Sequence, residues 1–260
     1  MGAIETGRAV VERAREEGLT FMAASIAYYA FFSVIPLLLL TLVVGSALGE
    51  EGLATAVVDL TEEYLSESGE QVVEEALSGE TGQLGASVGG LLALGWSALK
   101  VFRAIDVAFD DLYRYSADSS FLDQVKHGVV VLLTVVVALV ALVAVEAVAG
   151  DAAAAAVPFA GALTYLGLGL GLVVVFLPLY TVMSPPGHSV REAVPGAVLA
   201  AAGWVVLQAL FSLYAANADQ YQAYGIVGAV LLFLTWLYLG AILVLLGAAV
   251  NAVLSERSTP

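Results

Sequence analysis

Residues 226–250 read IVGAVLLFLTWLYLGAILVLLGAAV, a run of twenty-five residues without one charged side chain. A helix of that length extends about 38 Å at 1.5 Å per residue, which exceeds the ~30 Å hydrocarbon core of a bilayer. Surface helices of soluble proteins keep a charged or polar face, and no such face is present here. The run therefore predicts a helix that crosses a membrane.

The composition of the whole chain follows that run. Of its 260 residues, 60% are hydrophobic and 13% are charged, whereas a soluble domain carries about 25% charged residues. Long apolar runs predict six membrane spans, at residues 26–48, 84–105, 128–149, 160–183, 193–216 and 226–250. We therefore predict an all-α fold, with residues 1–260 forming a single polytopic bundle of six transmembrane helices.

Residues 49–83, between the first two predicted spans, contain ten Asp or Glu residues and no Lys or Arg. Apolar residues recur there at helical spacing, with an interruption at Ser66–Gly69, so we predict an acidic extracytoplasmic helical hairpin. The net charge of −15 disfavours nucleic acid as a partner. An extremely halophilic source is one hypothesis for this charge; a mesophile with one unusually acidic loop is the alternative.

The basic residues predict the orientation of the chain. With six crossings and a cytoplasmic N-terminus, all nine fall on the cytoplasmic side: Arg8, Arg13, Arg15, Lys100, Arg103, Arg114, Lys126, Arg191 and Arg257. This distribution follows the positive-inside rule and places both termini in the cytoplasm of a plasma or inner membrane protein. Residues 4–18 predict a short amphipathic helix with Ile4, Val11 and Ala14 on one face, and no cleavable signal peptide is expected.

A charged stripe follows the second predicted span. The charge-free part of that span, residues 84–99, is only about 24 Å long, so Lys100 and Arg103 lie at the cytoplasmic boundary. Asp106 and Asp110 continue the stripe at helical spacing. The stripe is a candidate site for an anionic headgroup or solute; the alternative is a network of ion pairs on a surface helix.

Two further features have a functional and a structural interpretation. Tyr28, Tyr29 and Pro36 can line a substrate cavity at a broken helix, or they are interfacial tyrosines beside an ordinary proline kink. Glu146 is the sole charge in its apolar run, so it is either a proton or cation relay or an acid that reaches water at the end of its span.

Motifs for catalysis and cofactor binding are missing from the sequence. The chain has no cysteine, and its two histidines, His127 and His188, have no ligand-spaced neighbours. It also lacks a P-loop, a His-Glu-x-x-His helix and a G-x-S-x-G elbow. We therefore predict no metal, no cofactor, no catalytic residue and no enzymatic activity.

Three stretches together resemble the YihY/virulence factor BrkB family of membrane proteins. They are AASIAYYAFFSVIP at residues 23–36, AVPGA at residues 193–197 with the aromatic residues that follow it, and YGIVGA at residues 224–229 followed by WLY and GAAVN. The residues of the last two stretches that carry the resemblance as structural motifs are Pro195, Gly196, Tyr214, Tyr224, Gly225, Trp236 and Asn251. The family usually has Asn where this chain has Asp110 or Asp111.

The resemblance implies a six-helix inner-membrane protein from a family once labelled ribonuclease BN. The acidic charge and the lack of a His/Asp metal cluster argue against that label. We predict transport or export of a small solute, ion or lipid without ATP hydrolysis by this chain, with membrane lipids as its surroundings. The alternative is a cell-envelope scaffold or assembly protein. The sequence does not indicate the oligomeric state.

Overall fold

The computed structural model describes residues 2–47, 80–115, 128, 160–215 and 225–258. These residues form helices and short connecting turns, without a strand, which confirms the all-α prediction for the described part of the chain. The helices are α1 (Ala3–Glu16), α2 (Leu19–Ala47), α3 (Glu80–Tyr113), α4 (Ala160–Val182), α5 (Val190–Ala215) and α6 (Gly225–Ser258).

Local sequence signals explain where the first helices begin and end. The Gly2 backbone N–H donates to the Glu5 carboxylate at 3.1 Å, so a side chain satisfies a free amide at the start of α1. Gly18 adopts a φ of 66°, a left-handed conformation that glycine reaches at little cost, and this turn ends α1 and starts α2. Three Cα–Cα steps therefore separate the last residue of α1 from the first residue of α2.

The helices extend beyond several of the predicted spans. α2 begins seven residues before the first predicted span, α3 begins at Glu80 and continues to Tyr113, and α6 continues to Ser258. The third predicted span apart from Gly128, most of the acidic segment, and Glu146 lie outside the described residues.

Two of the described segments are long and apolar enough to cross a membrane, Val190–Tyr214 and Val230–Glu256. Only 28% and 22% of their most apolar windows are buried inside the protein, and large apolar side chains such as Leu210, Leu213 and Leu231 are exposed. Shorter apolar helical segments occur at Leu19–Val34 and Gly169–Val182. Extended apolar surfaces of this kind suit contact with lipid; six crossings remain a prediction.

The chain divides into two compact units, and α2, α3 and α6 contribute to both. Unit 1 comprises Met1–Ile26, Phe102–Ala223 and Thr235–Pro260. Its core is built from small residues of α5 and α6, with larger side chains from the other helices around them. The fully or nearly fully buried members include Ala108, Phe109, Leu112, Tyr180, Ala197, Ala200, Leu245, Ala248 and Ala249. Small residues at a helix contact allow two backbones to approach closely.

Unit 2 comprises Ala27–Val101 and Tyr224–Leu234. Aromatic rings of α2 pack in sequence there, with Tyr28 4.7 Å from Phe32 and Phe31 6.1 Å from Phe233, measured between ring centroids. These separations fall within the range of favourable aromatic pairs. Unit 2 therefore contains an aromatic contact between the N-terminal part of α2 and the beginning of α6.

Candidate functional site

A buried asparagine joins α6 to α5 in unit 1. The Gly196 backbone N–H donates to Asn251 Oδ1 at 2.7 Å, and Asn251 Nδ2 donates to the Ala193 carbonyl at 3.1 Å. Asn251 is 1% exposed, so both ends of its amide are satisfied away from solvent. The sequence motifs AVPGA and GAAVN therefore meet at one point, and a Cβ atom at Gly196 would collide with Asn251 and with the Gly247 carbonyl.

Polar side chains from α3 and from the end of α4 extend this contact. Ser184 Oγ is within hydrogen-bonding distance of both Tyr113 Oη, at 2.9 Å, and the Tyr180 carbonyl, and the Tyr113 hydroxyl is also within hydrogen-bonding reach of Asn251. Burial raises the pKa of Tyr113 above its ordinary 10.0, although the hydrogen bonds from Ser184 and Asn251 partly oppose that rise. The phenol is thus protonated at neutral pH.

His188 lies against the same tyrosine. Its ring is T-shaped to the Tyr113 ring at 5.3 Å between centroids, and its Nδ1 is 3.1 Å from the Pro185 carbonyl. Its Nε2 is buried and has no hydrogen-bond partner among the described residues. We call Tyr113, Ser184, His188 and Asn251 the polar cluster.

Neither Tyr113 nor Ser184 stands out in the sequence, and His188 was considered only as a metal ligand and rejected, because it has no ligand-spaced neighbours. Tyr113 ends α3, Ser184 follows α4, and Asn251 lies on α6, so only the fold brings them together. The Ser184-Pro-Pro-Gly turn was the one signal available, because it marks where α4 must end.

The second polar feature of unit 1 is the Arg13 junction, which joins three helices. Arg13 is 6% exposed; its Nη1 donates to the Leu112 carbonyl and its Nη2 to Glu256 Oε1, both at 2.6 Å. Beside it, Arg114 pairs with Glu16 at 2.6 Å and Glu17 at 2.9 Å. The junction holds α1 against the ends of α3 and α6.

An open cavity of about 370 Å³ adjoins the Arg13 junction. It is lined by Ala9, Glu12, Arg13, Glu16, Arg114, Val253 and Glu256. Both arginines in its wall are already paired with carboxylates, so the cavity offers carboxylate oxygens rather than unpaired cations. Nothing in this arrangement indicates a particular ligand.

The candidate stripe on α3 is arranged differently from the ion-pair network considered above. Lys100 Nζ lies 5.0 Å from the Trp96 ring centroid, a cation–π contact within unit 2. Arg103 is exposed, and no described residue forms an ion pair with it. Asp106 and Asp110 are half-buried. Arg103 therefore presents a cation to its surroundings.

Within that stripe, the Asp110 carboxyl has a pKa that is raised well above its ordinary value. Burial raises its pKa from 3.8 to about 6, and the neighbouring charges of Asp106 and Asp111 add to the rise. A carboxyl with a raised folded-state pKa binds its proton more tightly in the folded protein than in the unfolded chain. Its contribution to stability is therefore present below pH 4 and is lost as the pH rises through 6.

We expect Asp110→Asn to raise the melting temperature at pH 8 and to leave it nearly unchanged at pH 4, because the penalty for ionising Asp110 exists only at the higher pH. Thermal unfolding of the purified protein in detergent at both pH values measures this. Asp111→Asn is the control; Asp111 is exposed, so a smaller effect in the same direction is expected. An Asp110→Asn protein less stable than wild type at pH 8 contradicts this account.

The first-span candidates are in unit 2. Tyr28 is 54% exposed and Tyr29 is half-buried, and the two rings contact each other at 5.6 Å. Pro36 lies within α2, and its side chain is outside the described part of the structure. A role for these three residues in substrate binding remains a proposal.

The remaining motif residues are spread along α5 and α6. Pro195 is half-buried and directly precedes Gly196, and Tyr214 is exposed at the end of α5. Gly225 begins α6, and Tyr224 lies outside the described residues. Trp236 packs against Trp204 at 5.3 Å, and Trp204 contacts Phe176 at 5.8 Å, so these rings join α4, α5 and α6. Among the described residues, no group of His, Asp and Glu is arranged to hold a metal ion.

Several known proteins are similar in sequence to this chain over most of its length. A "Putative ribonuclease-like protein YfkH" from Bacillus subtilis (strain 168) is 30% identical over 252 residues, covering 90% of each chain. A UPF0761 membrane protein from Alkalilimnicola ehrlichii is 31% identical over 262 residues, covering 96% of this chain and 58% of the relative. A UPF0761 membrane protein from Pseudoalteromonas translucida is 28% identical, with 95% and 85% covered.

This chain thus spans little more than half of the Alkalilimnicola relative and most of the other two. No solved structure matches it. The family model "Virulence factor BrkB" matches residues 10–260, which include the Arg13 junction and the polar cluster. The family match covers nearly the whole sequence, and the relatives are named as membrane proteins. The chain is a member of the virulence factor BrkB family of membrane proteins.

Proposed function

We propose that this chain is a multi-pass inner-membrane protein with six crossings and with both termini in the cytoplasm. The membrane names of the relatives support the location, as do the exposed apolar faces of α5 and α6. The one-sided distribution of the nine basic residues supports the orientation. In this orientation α1, the Arg13 junction and the polar cluster all belong to the cytoplasmic end.

The absence of native cysteine allows a direct test of the topology. Cysteines introduced singly at Thr6 and Ser258 should resist an impermeant maleimide in intact cells and react after permeabilisation. A cysteine at Ser68, in the acidic segment, should react in intact cells and serves as the external control. Labelling of either terminal cysteine in intact cells contradicts the proposed orientation.

Within that topology, the chain is proposed to move a small solute, ion or lipid without hydrolysing ATP itself. The polar cluster is the observation that carries this proposal. Asn251 is buried and the other three side chains of the cluster are half-buried. Because the cluster lies at the cytoplasmic ends of its helices, it would form the cytoplasmic entrance of a polar solute's path. The four side chains gather where α3, α4, α5 and α6 meet, and His188 Nε2, which has no hydrogen-bond partner among the described residues, offers a hydrogen-bonding position to a solute.

The charged stripe provides the approach to this region if the solute is anionic or zwitterionic. Arg103 is exposed and unpaired among the described residues, whereas Lys100 is already held over Trp96. Arginine also presents a bidentate fork that lysine lacks. Arg103→Ala is therefore expected to weaken transport more than Lys100→Ala. Asp106 and Asp110 would favour a cationic solute instead.

A transporter can be distinguished from a scaffold before its solute is known, because a transporter must adopt at least two conformations. Nitroxide labels at Asp111→Cys and Val190→Cys, both exposed and flanking the polar cluster in unit 1, report the separation of α3 and α5. Electron–electron double resonance in liposomes should give two distances between the labels. The relative populations of these two distances should change with pH, sodium ions or the Ser184→Ala substitution.

Labels at Val194→Cys and Val206→Cys form the matched control, since both sites are exposed on the single helix α5 and must give one distance. A single, unchanging distance for the α3–α5 pair under every condition argues against transport. That result favours the second candidate function, a scaffold of the cell envelope. A scaffold function is supported by Asn251, whose two hydrogen bonds and close backbone contacts hold α5 and α6 rigidly together.

A further inference from the structure

The outward face of α1 carries two aliphatic residues and two arginines in one line. Ile4, Arg8, Val11 and Arg15 are spaced by four, three and four residues, which places them within about 60° of one another around the helix. Ile4 is 80% exposed, Val11 is 51% exposed, and both arginines are exposed. We call these four residues the α1 stripe.

The opposite face of α1 holds the helix on the protein. Val10 and Arg13 are buried there. Ile4 and Val11 share one face of α1, as expected from the sequence, and that face points away from the protein, whereas Val10 points towards it. The apolar part of the α1 stripe is therefore not needed for packing against the described helices.

The four residues of the stripe carry two positive charges although the whole chain carries a charge of −15, and the exposed Glu12 lies beside them, within one turn of each arginine. Arg8 and Arg15 form no ion pair with the described residues. The glutamates at the end of α1 do not neutralise them, because Glu16 and Glu17 both pair with Arg114. Glu5 accepts a hydrogen bond from the Gly2 backbone at the start of the helix.

The length of α2 indicates the level at which α1 lies. α2 has 29 residues and no charge, so it extends about 43 Å. This matches the ~40–45 Å thickness of a bilayer with its headgroup regions. With α2 as the first crossing of the proposed topology, on which this inference rests, Leu19 lies at headgroup level, and α1, which ends three residues earlier, lies there too. At this level Ile4 and Val11 can meet acyl chains, and the arginine heads can reach phosphates.

We propose that the α1 stripe is a binding surface for anionic phospholipid headgroups. Four side chains cover far less than the ~800 Å² that each partner buries in a typical stable protein interface, so a lipid surface fits the stripe better than another protein. Charge complementarity supplies the preference, since basic residues close to an anionic membrane surface bind it favourably. This inference is independent of whether the protein transports a solute.

The full chain in nanodiscs tests this inference, with nitroxide labels placed singly at Ile4→Cys, Val11→Cys and, as the off-stripe control, Glu12→Cys. Collision with oxygen reports contact with lipid, and collision with a water-soluble nickel complex reports contact with water. In discs of phosphatidylglycerol and phosphatidylcholine, the Ile4 and Val11 labels should favour oxygen and the Glu12 label should favour nickel. In pure phosphatidylcholine the preference at Ile4 and Val11 should fall.

The Arg8→Gln/Arg15→Gln protein should lose the difference between the two lipid compositions. Arg191→Gln, which removes an exposed cation outside α1, should keep it. Neither arginine of the stripe forms an ion pair with a described residue, so folding should be unaffected, and size-exclusion chromatography checks this. Ile4 and Val11 labels as open to nickel as the Glu12 label overturn the proposal. So do labels insensitive to lipid charge, or labels immobilised in both lipids, which indicate a protein partner.

Discussion

Gly196→Ala is expected to leave little correctly folded protein. The added methyl group meets the Asn251 side chain and the Gly247 carbonyl, and a backbone carbonyl cannot rotate away as a side chain can. Separating α5 from α6 to make room would also break the hydrogen bond from Gly196 to Asn251. Overpacking costs about 1–3 kcal/mol, and a buried group left unpaired costs about 1–3 kcal/mol more.

A combined loss of roughly 2–6 kcal/mol is a large part of the 5–15 kcal/mol that stabilises a typical domain. Thermal unfolding in detergent, together with size-exclusion chromatography, measures it. Gly167→Ala is the matched control, because that glycine is also within a helix and has open space around it; alanine there should be neutral or stabilising by up to about 1 kcal/mol. Equal melting temperatures for the two variants contradict the close contact.

The double variant Gly196→Ala/Asn251→Ala separates the two clashes. Removing the Asn251 amide makes room for the new methyl group on that side, although the Gly247 carbonyl still opposes it. The double variant is therefore expected to be more stable than the sum of the two single losses allows, since residues in contact are not additive. If the stability losses of the two single variants add exactly in the double variant, the methyl group at position 196 does not clash with the Asn251 side chain.

The contact at Gly196 and Asn251 also shows what the sequence could predict. Helical runs are visible without a structure because their apolar residues continue for twenty residues or more. The two motifs AVPGA and GAAVN contain the small residues that a close helix contact needs. The pairing of Asn251 with the Gly196 amide, 55 residues away, depends on how α5 meets α6, and a single sequence does not contain that register.

The charged candidates show why the site was harder to predict. Helical spacing suggested that Lys100, Arg103, Asp106 and Asp110 could form ion pairs along α3. In the structure, Lys100 instead forms a cation–π contact with Trp96, one helical turn earlier. Tyr113 and Ser184 carry no spacing signal of their own. From its charge alone, Arg13 was grouped with Arg8 and Arg15 near the membrane. The 3.6-residue period of the helix places Arg13 on the face of α1 opposite to those two arginines. Its hydrogen-bond partners on that face are 99 and 243 residues away in the sequence.

Arg13→Met is the second substitution expected to have a large effect. Methionine keeps most of the apolar stem and removes the guanidinium group, so both 2.6 Å hydrogen bonds are lost. The Leu112 carbonyl loses its buried charged donor, whereas Glu256, which is 52% exposed, regains water. Hydrogen bonds to charged groups contribute about 1.5–3 kcal/mol each when buried, so we expect a total loss of roughly 2–3 kcal/mol after allowing for the hydration of Glu256.

Arg13→Lys should lie between wild type and Arg13→Met, because one ammonium group cannot reach two acceptors in the geometry of the guanidinium fork. The melting temperature in detergent gives the order of the three proteins, and protease cleavage within residues 3–16 shows whether α1 has detached from α3 and α6. Arg8→Met is the control, since it removes the same charge from the exposed face of the same helix and should leave both measurements unchanged. If Arg8→Met and Arg13→Met behave alike, the effect comes from net charge on α1, and the Arg13 junction does not hold the helix in place.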